Sequence, residues 1–190
     1  MNLEELVLKN RSYRRFFEDE PIELDILKQL VDLARLSGSA ANLQPLKYML
    51  SVDQKVNALI FPYLRWAGYL KDWKGPAEGE RPSGYIIILG DRHITKSFGC
   101  DHGIVAQSML LGATELGLGG CMIGSIEREG LRRELEIPSH LEILLIIALG
   151  RPKEKVKIEV INPEGDVKYW RDENEIHHVP KRSLDEIIIS

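Results

Sequence analysis

Two unbroken apolar runs, Tyr85-Ile-Ile-Ile-Leu89 and Ile143–Leu149, constrain this chain more than any other feature. Successive strand side chains point to opposite faces, so a strand with one wet face alternates apolar with polar residues. A run without polar members has to be covered on both faces. Gly119–Ile123 is a third strand of this kind, and Tyr48–Val52 is a shorter candidate. Gly103–Leu118 has helical period but is apolar nearly all round, through Ile104, Val105, Met109, Leu110, Leu111, Ala113 and Leu116. Such a helix is predicted to be buried, in a central core or against a partner subunit. Further helices are predicted through Lys9, where Asn2 and Glu5 can cap, and over 23–37, where Leu24, Leu27, Leu30, Val31 and Ala34 share a face. The aromatic-rich stretch 54–73 also reads as helical. The charge-rich segment 151–182, with Pro152, Pro163 and Pro180, reads as a long excursion and not as a second core. Helices interleaved with buried strands mean α/β or α+β in one packed unit over 1–190, and the strand order is not legible.

Charge and cysteine usage exclude several classes of function. A net charge of −4 provides no global field for nucleic acid, so any basic site has to be local. No apolar run approaches the roughly 18 residues of a membrane span, and the first residues, Met-Asn-Leu-Glu-Glu-Leu, are no signal peptide. A soluble, cytoplasmic protein without nucleic-acid or membrane partners is expected. Cys100 and Cys121 form no CxxC pair and imply no disulfide scaffold.

The chemistry-bearing residues begin at Arg11, Ser12, Arg14 and Arg15, three guanidinium groups and a hydroxyl within five residues. Close cations repel one another unless an anion lies between them, and guanidinium forks match phosphate oxygens two at a time. Alone, such a cluster reads first as a solvated basic patch. A second polar group, Ser37-Gly-Ser-Ala-Ala-Asn-Leu-Gln-Pro45, joins the helix at 23–37 to the strand at 48–52. Its amides donate and accept at once, which suits the edge of a heterocycle. Alternatively it is a helix end with Gly38 in a left-handed cap. Gly117-Leu-Gly119-Gly120 suggests a dinucleotide fingerprint, but it follows a helix instead of opening one, and Met122 stands where a third glycine belongs. His102, beside Cys100 and Asp101, reads as a helix start with an acidic residue, and His177-His178 has poor spacing for a metal.

Taken in order, these residues resemble the FMN-dependent nitroreductase family. The resemblance rests on Arg11-Ser12-x-Arg14-x-Phe16, on Ser39-Ala40-Ala41-Asn42-Leu43-Gln44-Pro45, and on Asp101-x-Gly103-x-x-Ala106-Gln107 leading through Glu115–Gly119 to Ile123-Gly124. Gly150-x-Pro152 and a terminal Lys181-Arg182 complete it. The resemblance implies an α+β fold with a central, mostly antiparallel sheet flanked by helices, working as an intertwined homodimer with FMN at the interface. It implies that Arg11, Ser12, Arg14 and Arg15, with Lys181 and Arg182, hold the phosphate and ribityl chain. Ser39, Ala40, Asn42 and Gln44 would lie against the flavin ring, partly from the other protomer. Met122, Ile123 and Gly124 would approach the isoalloxazine. The pattern departs from the family at Asn10, where many members have arginine, and at Leu46, where tryptophan is common.

The activity this resemblance implies is ping-pong hydride transfer from NADH or NADPH through the flavin to a nitroaromatic, a quinone or a similar planar acceptor. The chemistry is carried by FMN, so no catalytic side chain and no metal is expected. A flavin-storage protein, or a same-fold enzyme of reductive dehalogenation or flavin destruction, are the alternatives. Within 61–85, Tyr63, Trp66, Tyr69 and Trp73 fall near helical spacing ahead of a Gly/Pro stretch. They suit either a core stripe or a substrate lid in which Trp66, Tyr69 and Trp73 meet the acceptor.

Overall fold

The computed structural model describes residues 1–161 and 165–189; Pro163 lies outside them. Four strands, β1 (Leu46–Ser51), β2 (Gly84–Asp91), β3 (Gly119–Ile123) and β4 (Leu141–Gly150), form one sheet in the order β1-β2-β4-β3. Every neighbouring pair in it is antiparallel, which decides for α+β over α/β.

The apolar runs are explained by two cores. Ile86 and Ile88 of β2 face Leu27 and Leu30 of α2 (Leu24–Arg35) and Val105, Met109 and Leu110 of α4 (Asp101–Glu115). Tyr85, Ile87 and Leu89 face the opposite core, with Ile60, Leu64, Trp66 and Leu131. In β4, Ile147 and Leu149 go to the first core and Ile146 and Ala148 to the second. The register slips between Ile88 and Leu89, leaving Leu144 as an extra residue. That bulge reverses the parity and sends Ile143 into the second core. α4 buries one side only, against α2, where a Cβ on Gly112 would come within 2.4 Å of Leu33 Cδ1. Ile104 and Leu116 on its other side are exposed.

Three expectations are corrected. The helix expected over 54–73 ends early, as α3 (Gln54–Ile60) and a single 3₁₀ turn, Phe61–Tyr63, that contains Pro62. From there the chain runs in turns, so the aromatic residues form no helical stripe. α5 (Arg128–Glu134) was not expected, because in its seven residues only Gly130 and Leu131 are buried and the apolar period has no room to show. Within 151–182 the described residues include a three-stranded sheet in the order β5-β7-β6, from β5 (Val156–Val160), β6 (Trp170–Arg171) and β7 (His177–Lys181). Polar groups hold it in place, so hydropathy gave no signal. α1 (Leu3–Lys9), with the expected Asn2/Glu5 capping box, and α6 (Leu184–Ile187) complete the chain. No described helix is long and apolar enough to cross a membrane.

The small sheet carries a pH-sensitive tie. His178 Nδ1 lies 2.7 Å from Glu159 Oε1 and its Nε2 3.2 Å from Asp172 Oδ2, while its ring stacks on Trp170. Hydrogen bonding to Glu159, then to Asp172, raises the His178 pKa. Lys157 also pairs with Glu159. A group whose folded pKa is raised stabilises fully below its unfolded value of about 6.5 and loses that contribution as pH climbs through the folded pKa. The stability difference between wild type and His178→Gln in urea unfolding is therefore expected to be largest near about pH 6 and to shrink toward about pH 9. A difference that stays constant with pH would refute the tie.

Candidate functional site

Beyond α1 the chain crosses the end of β3. Ser12 bridges Gly120, Tyr13 N–H donates to Gly120 O (3.0 Å), and Phe16 bridges Pro152. The glycine pair makes this crossing possible. A Cβ on Gly119 would lie 2.5 Å from Tyr13 Cδ2, and one on Gly120 would lie 2.7 Å from Leu110 Cδ2. Gly119 and Gly120 are thus a packing surface within a strand. Phe16 is fully buried, with its ring in the space a Gly150 side chain would need. The first and last sequence motifs are neighbours.

The crossing parts the arginines. Arg15 turns to Glu80, with Nε at 2.6 Å and Nη2 at 2.7 Å from its two oxygens, and also meets Glu175. Hydrogen bonds from Arg15 first, and then from Lys153, hold the Glu80 carboxyl down at about 2. Arg11 and Arg14 turn the other way, into a cavity of about 360 Å³ that they line with Asn10, Ser12, Gln107, Met122, Tyr169, His177 and Lys181. The structure therefore brings Arg11, Ser12, Arg14, Met122 and Lys181 together. Arg15 is left outside, and so is Arg182, which pairs with Glu186.

Each wall of this cavity is fixed. Arg14 gives its backbone N–H to the buried Glu154, and its Nη1 donates to Ser12 O at 3.1 Å. The same Nη1 lies 3.3 Å from His177 Nε2, and the guanidinium sits 5.0 Å over the Tyr169 ring. Arg11 Nη2 donates to Val7 O at 2.6 Å. Burial, with Arg14 and Arg171 adding to it, pushes His177 down to about 4, so it is neutral at pH 7. Arg11 Nε and His177 Nδ1 are buried and have no hydrogen-bond partner among the described residues. Three cations line a cavity that no described carboxylate lines. An anion is the group that answers all of them.

Ile123 is buried in the second core, and Gly124 follows it at the end of β3. Arg128, which the sequence did not mark, holds this turn, its Nη2 donating to Gly124 O (3.1 Å) and its Nε to Ile143 O (2.9 Å). A Cβ on Gly124 would meet only Leu145 Cδ1, at 3.9 Å. The fold itself does not demand glycine there.

The 39–44 segment is held from α4. Ser39 Oγ donates to Asp101 Oδ2 (2.7 Å), Ala40 N–H to Asp101 Oδ1 (3.1 Å), and Gln44 N–H to Ser39 Oγ (2.9 Å). Gln44 Nε2 reaches Asn42 Oδ1 at 3.2 Å. Asp101 is a buried clamp at the start of a helix, as its position suggested. Gly38 is not in the left-handed region; Ala41, Asn42 and Gln44 are, with φ of 49°, 53° and 49°. Such strain in non-glycine residues gathers at functional sites. Ser39 and Gln44 line a separate hollow of about 140 Å³ with Asp101 and Tyr48. α4 links the two places, since Gln107 of the cation cavity lies six residues, about 9 Å of helix rise, beyond Asp101. Among the described residues the polar segment and the cations line different cavities.

A profile described as the nitroreductase family matches residues 7–151, a span that takes in the arginine cluster, the 39–44 segment, Asp101 and β3. The chain belongs to the nitroreductase family. A Methanothermobacter thermautotrophicus protein, provisionally named NADH dehydrogenase/NAD(P)H nitroreductase, is 27% identical over 161 residues, 81% of this chain and 79% of that one. A nitroreductase family protein from Clostridium novyi NT aligns over 100% of both chains, with a TM-score of 0.67 and 21% identity. The FMN-dependent nitroreductase of Clostridium difficile R20291 aligns over 79% of this chain and 87% of its own, with a TM-score of 0.62 and 24% identity.

The aromatic residues of 61–85 divide in this nitroreductase family member. Trp66 is buried in the second core and fills the space beside Gly75, so it is core and not lid. Tyr69 is exposed, and its N–H donates to Tyr169 Oη at 3.3 Å, with the two rings 4.9 Å apart. Trp73 lies under the Arg171 guanidinium at 4.8 Å. The segment is pinned to the small sheet, and it touches the cation cavity through Tyr169, a residue the sequence did not mark.

Proposed function

We propose that this chain is an FMN-dependent oxidoreductase that takes hydride from NADH or NADPH and passes it to a nitroaromatic, a quinone or a similar planar acceptor. The observation that carries the proposal is the cavity lined by Arg11, Arg14 and Lys181 and by no described carboxylate. An FMN phosphate brings close to two negative charges, and three cations neutralise it without a metal. When bound, FMN supplies the hydride acceptor and donor. Arg11, Ser12, Arg14 and Lys181 hold the phosphate end, while Arg15 and Arg182 stabilise its surroundings through Glu80 and Glu186. The open space at Gly124 would admit close approach of a flat ring, and Met122 lines the cation cavity.

The proposed working form is a homodimer in which Ser39, Ala40, Asn42 and Gln44 of one protomer complete the flavin site of the other. Support comes from the surface of the single chain. Helix α1 buries none of its residues and exposes Leu3, Val7 and Leu8. A seven-residue helix does not persist on its own; α1 rests on α4 and leaves these apolar side chains uncovered. Leu36, Ile104 and Leu116, together with Leu184 and Ile187–Ile189, are exposed as well.

Absorption spectroscopy of the purified protein, then anaerobic NADH and NADPH, and then menadione or a nitrobenzene, tests the activity. One flavin per chain, bleached by a nicotinamide and restored by the acceptor, is expected. A colourless protein that takes up no FMN refutes the cofactor. Bound flavin that neither nicotinamide reduces refutes the activity in favour of storage.

A further inference from the structure

Away from the cation cavity, at the end of β2, Asp91, His93 and His140 come together. Asp91 is the last residue of β2, opposite Leu141, and Arg92 N–H donates to His140 O at 2.9 Å, tying the two turns. The Asp91 carboxylate accepts the His93 N–H at 3.0 Å, and its carbonyl accepts the N–H of Ile94 at 3.1 Å. The His93 turn is thereby closed around the carboxylate, whose side chain is only 14% exposed. The His93 and His140 rings lie parallel, 4.3 Å apart and inclined by 6°.

The ring planes are parallel, so the exposed His93 ring has to turn toward His140 for a nitrogen of each to meet one ion. One carboxylate oxygen and one nitrogen of each histidine all lie within 4.8 Å of one another. Two imidazole nitrogens and a carboxylate suit zinc-class ions, whereas calcium and magnesium take all-oxygen shells. We propose that Asp91, His93 and His140 form a surface site for a divalent transition-metal ion of the zinc class, with its remaining positions open to water. The ligands come from the ends of neighbouring strands β2 and β4, so a bound ion staples the two turns. The site is independent of the flavin assignment, because its residues line neither the cation cavity nor the 39–44 hollow.

Zinc titration of the flavin-loaded protein against a chromophoric chelator tests this. One ion per chain is expected at about pH 7.5, with release on acidification, because protonated imidazole does not bind metal. His93→Ala and His140→Ala are each expected to weaken binding at least about tenfold, and Asp91→Asn to weaken it less. His93 is exposed, so its replacement tests the site without a folding cost. Loss of the histidine imidazole signals on cobalt addition, read by proton NMR, provides an independent measure. Absence of binding at about 100 µM zinc overturns the proposal. So does binding that survives the double histidine variant, above all if Cys100→Ser then abolishes it.

Discussion

Arg14→Met is expected to lower FMN affinity by about 10- to 100-fold while shifting thermal stability little, because a hydrogen bond to a charged group is worth about 1.5–3 kcal/mol. The methionine stem keeps part of the packing over Tyr169, and the backbone N–H that Glu154 holds is untouched. What disappears is the fork between Ser12 O and His177 that points into the cavity. Arg14→Lys restores a point charge without the fork and is expected to fall between the two. Arg15→Met is the control, because Arg15 pairs with Glu80 and does not line the cavity. It is expected to reduce stability more than affinity, since Glu80 keeps only Lys153. Flavin fluorescence titration and thermal melts of both variants distinguish the roles. A larger loss of FMN from Arg15→Met than from Arg14→Met would overturn the assignment of the clamp.

That division of the arginines marks how far the sequence is legible. The buried strands at 85–89, 119–123 and 143–149 are written directly in hydropathy, because coverage on both faces leaves no polar position. The motif at 11–16 was legible as a cation cluster, yet nothing in its spacing says which guanidinium turns inward. The direction of Arg15 is decided by Glu80, 65 positions away, and that of Arg14 by His177, 163 positions away, on a backbone that Glu154 holds. Asp101 showed as a helix start, but its grip on Ser39 and Ala40 is a tertiary fact. The small sheet escaped notice for the same reason. Its anchors Glu154, Arg171 and His177 are polar residues that burial conceals from any hydrophobic period. Trp66 and Tyr69 looked alike in sequence, and Pro62 separates their fates by ending the helix that would have aligned them.

The anchor at Glu154 sets up the largest expected loss of stability. Its side chain is fully buried, and it accepts the Arg14 N–H and, at 3.2 Å, a guanidinium N–H of Arg171, itself only 11% exposed. Glu154→Ala strands a buried cation and a backbone donor, which costs about 3–5 kcal/mol when one partner of a buried pair is removed. In a chain of this length that is a fall in melting temperature on the order of 10 °C. Arg171 keeps its stacking on Trp73 and a distant contact with Glu175 at 3.9 Å, neither of which replaces the carboxylate. Adding Arg171→Met to Glu154→Ala removes the stranded charge and is expected to recover more than half of the loss. That recovery is the signature of an unpaired cation, not of a cavity. Glu154→Gln keeps an acceptor for the Arg14 N–H and is expected to lie between wild type and Glu154→Ala. Because Glu154 ties β5-β7-β6 to the arginine loop, its removal is also expected to loosen the sheet that carries His177 and Lys181. FMN affinity is then expected to fall along with stability, whereas Arg14→Met separates the two. A Glu154→Ala protein that melts within about 2 °C of wild type would show that the small sheet is held by its own strands, and that the cation cavity does not depend on this anchor.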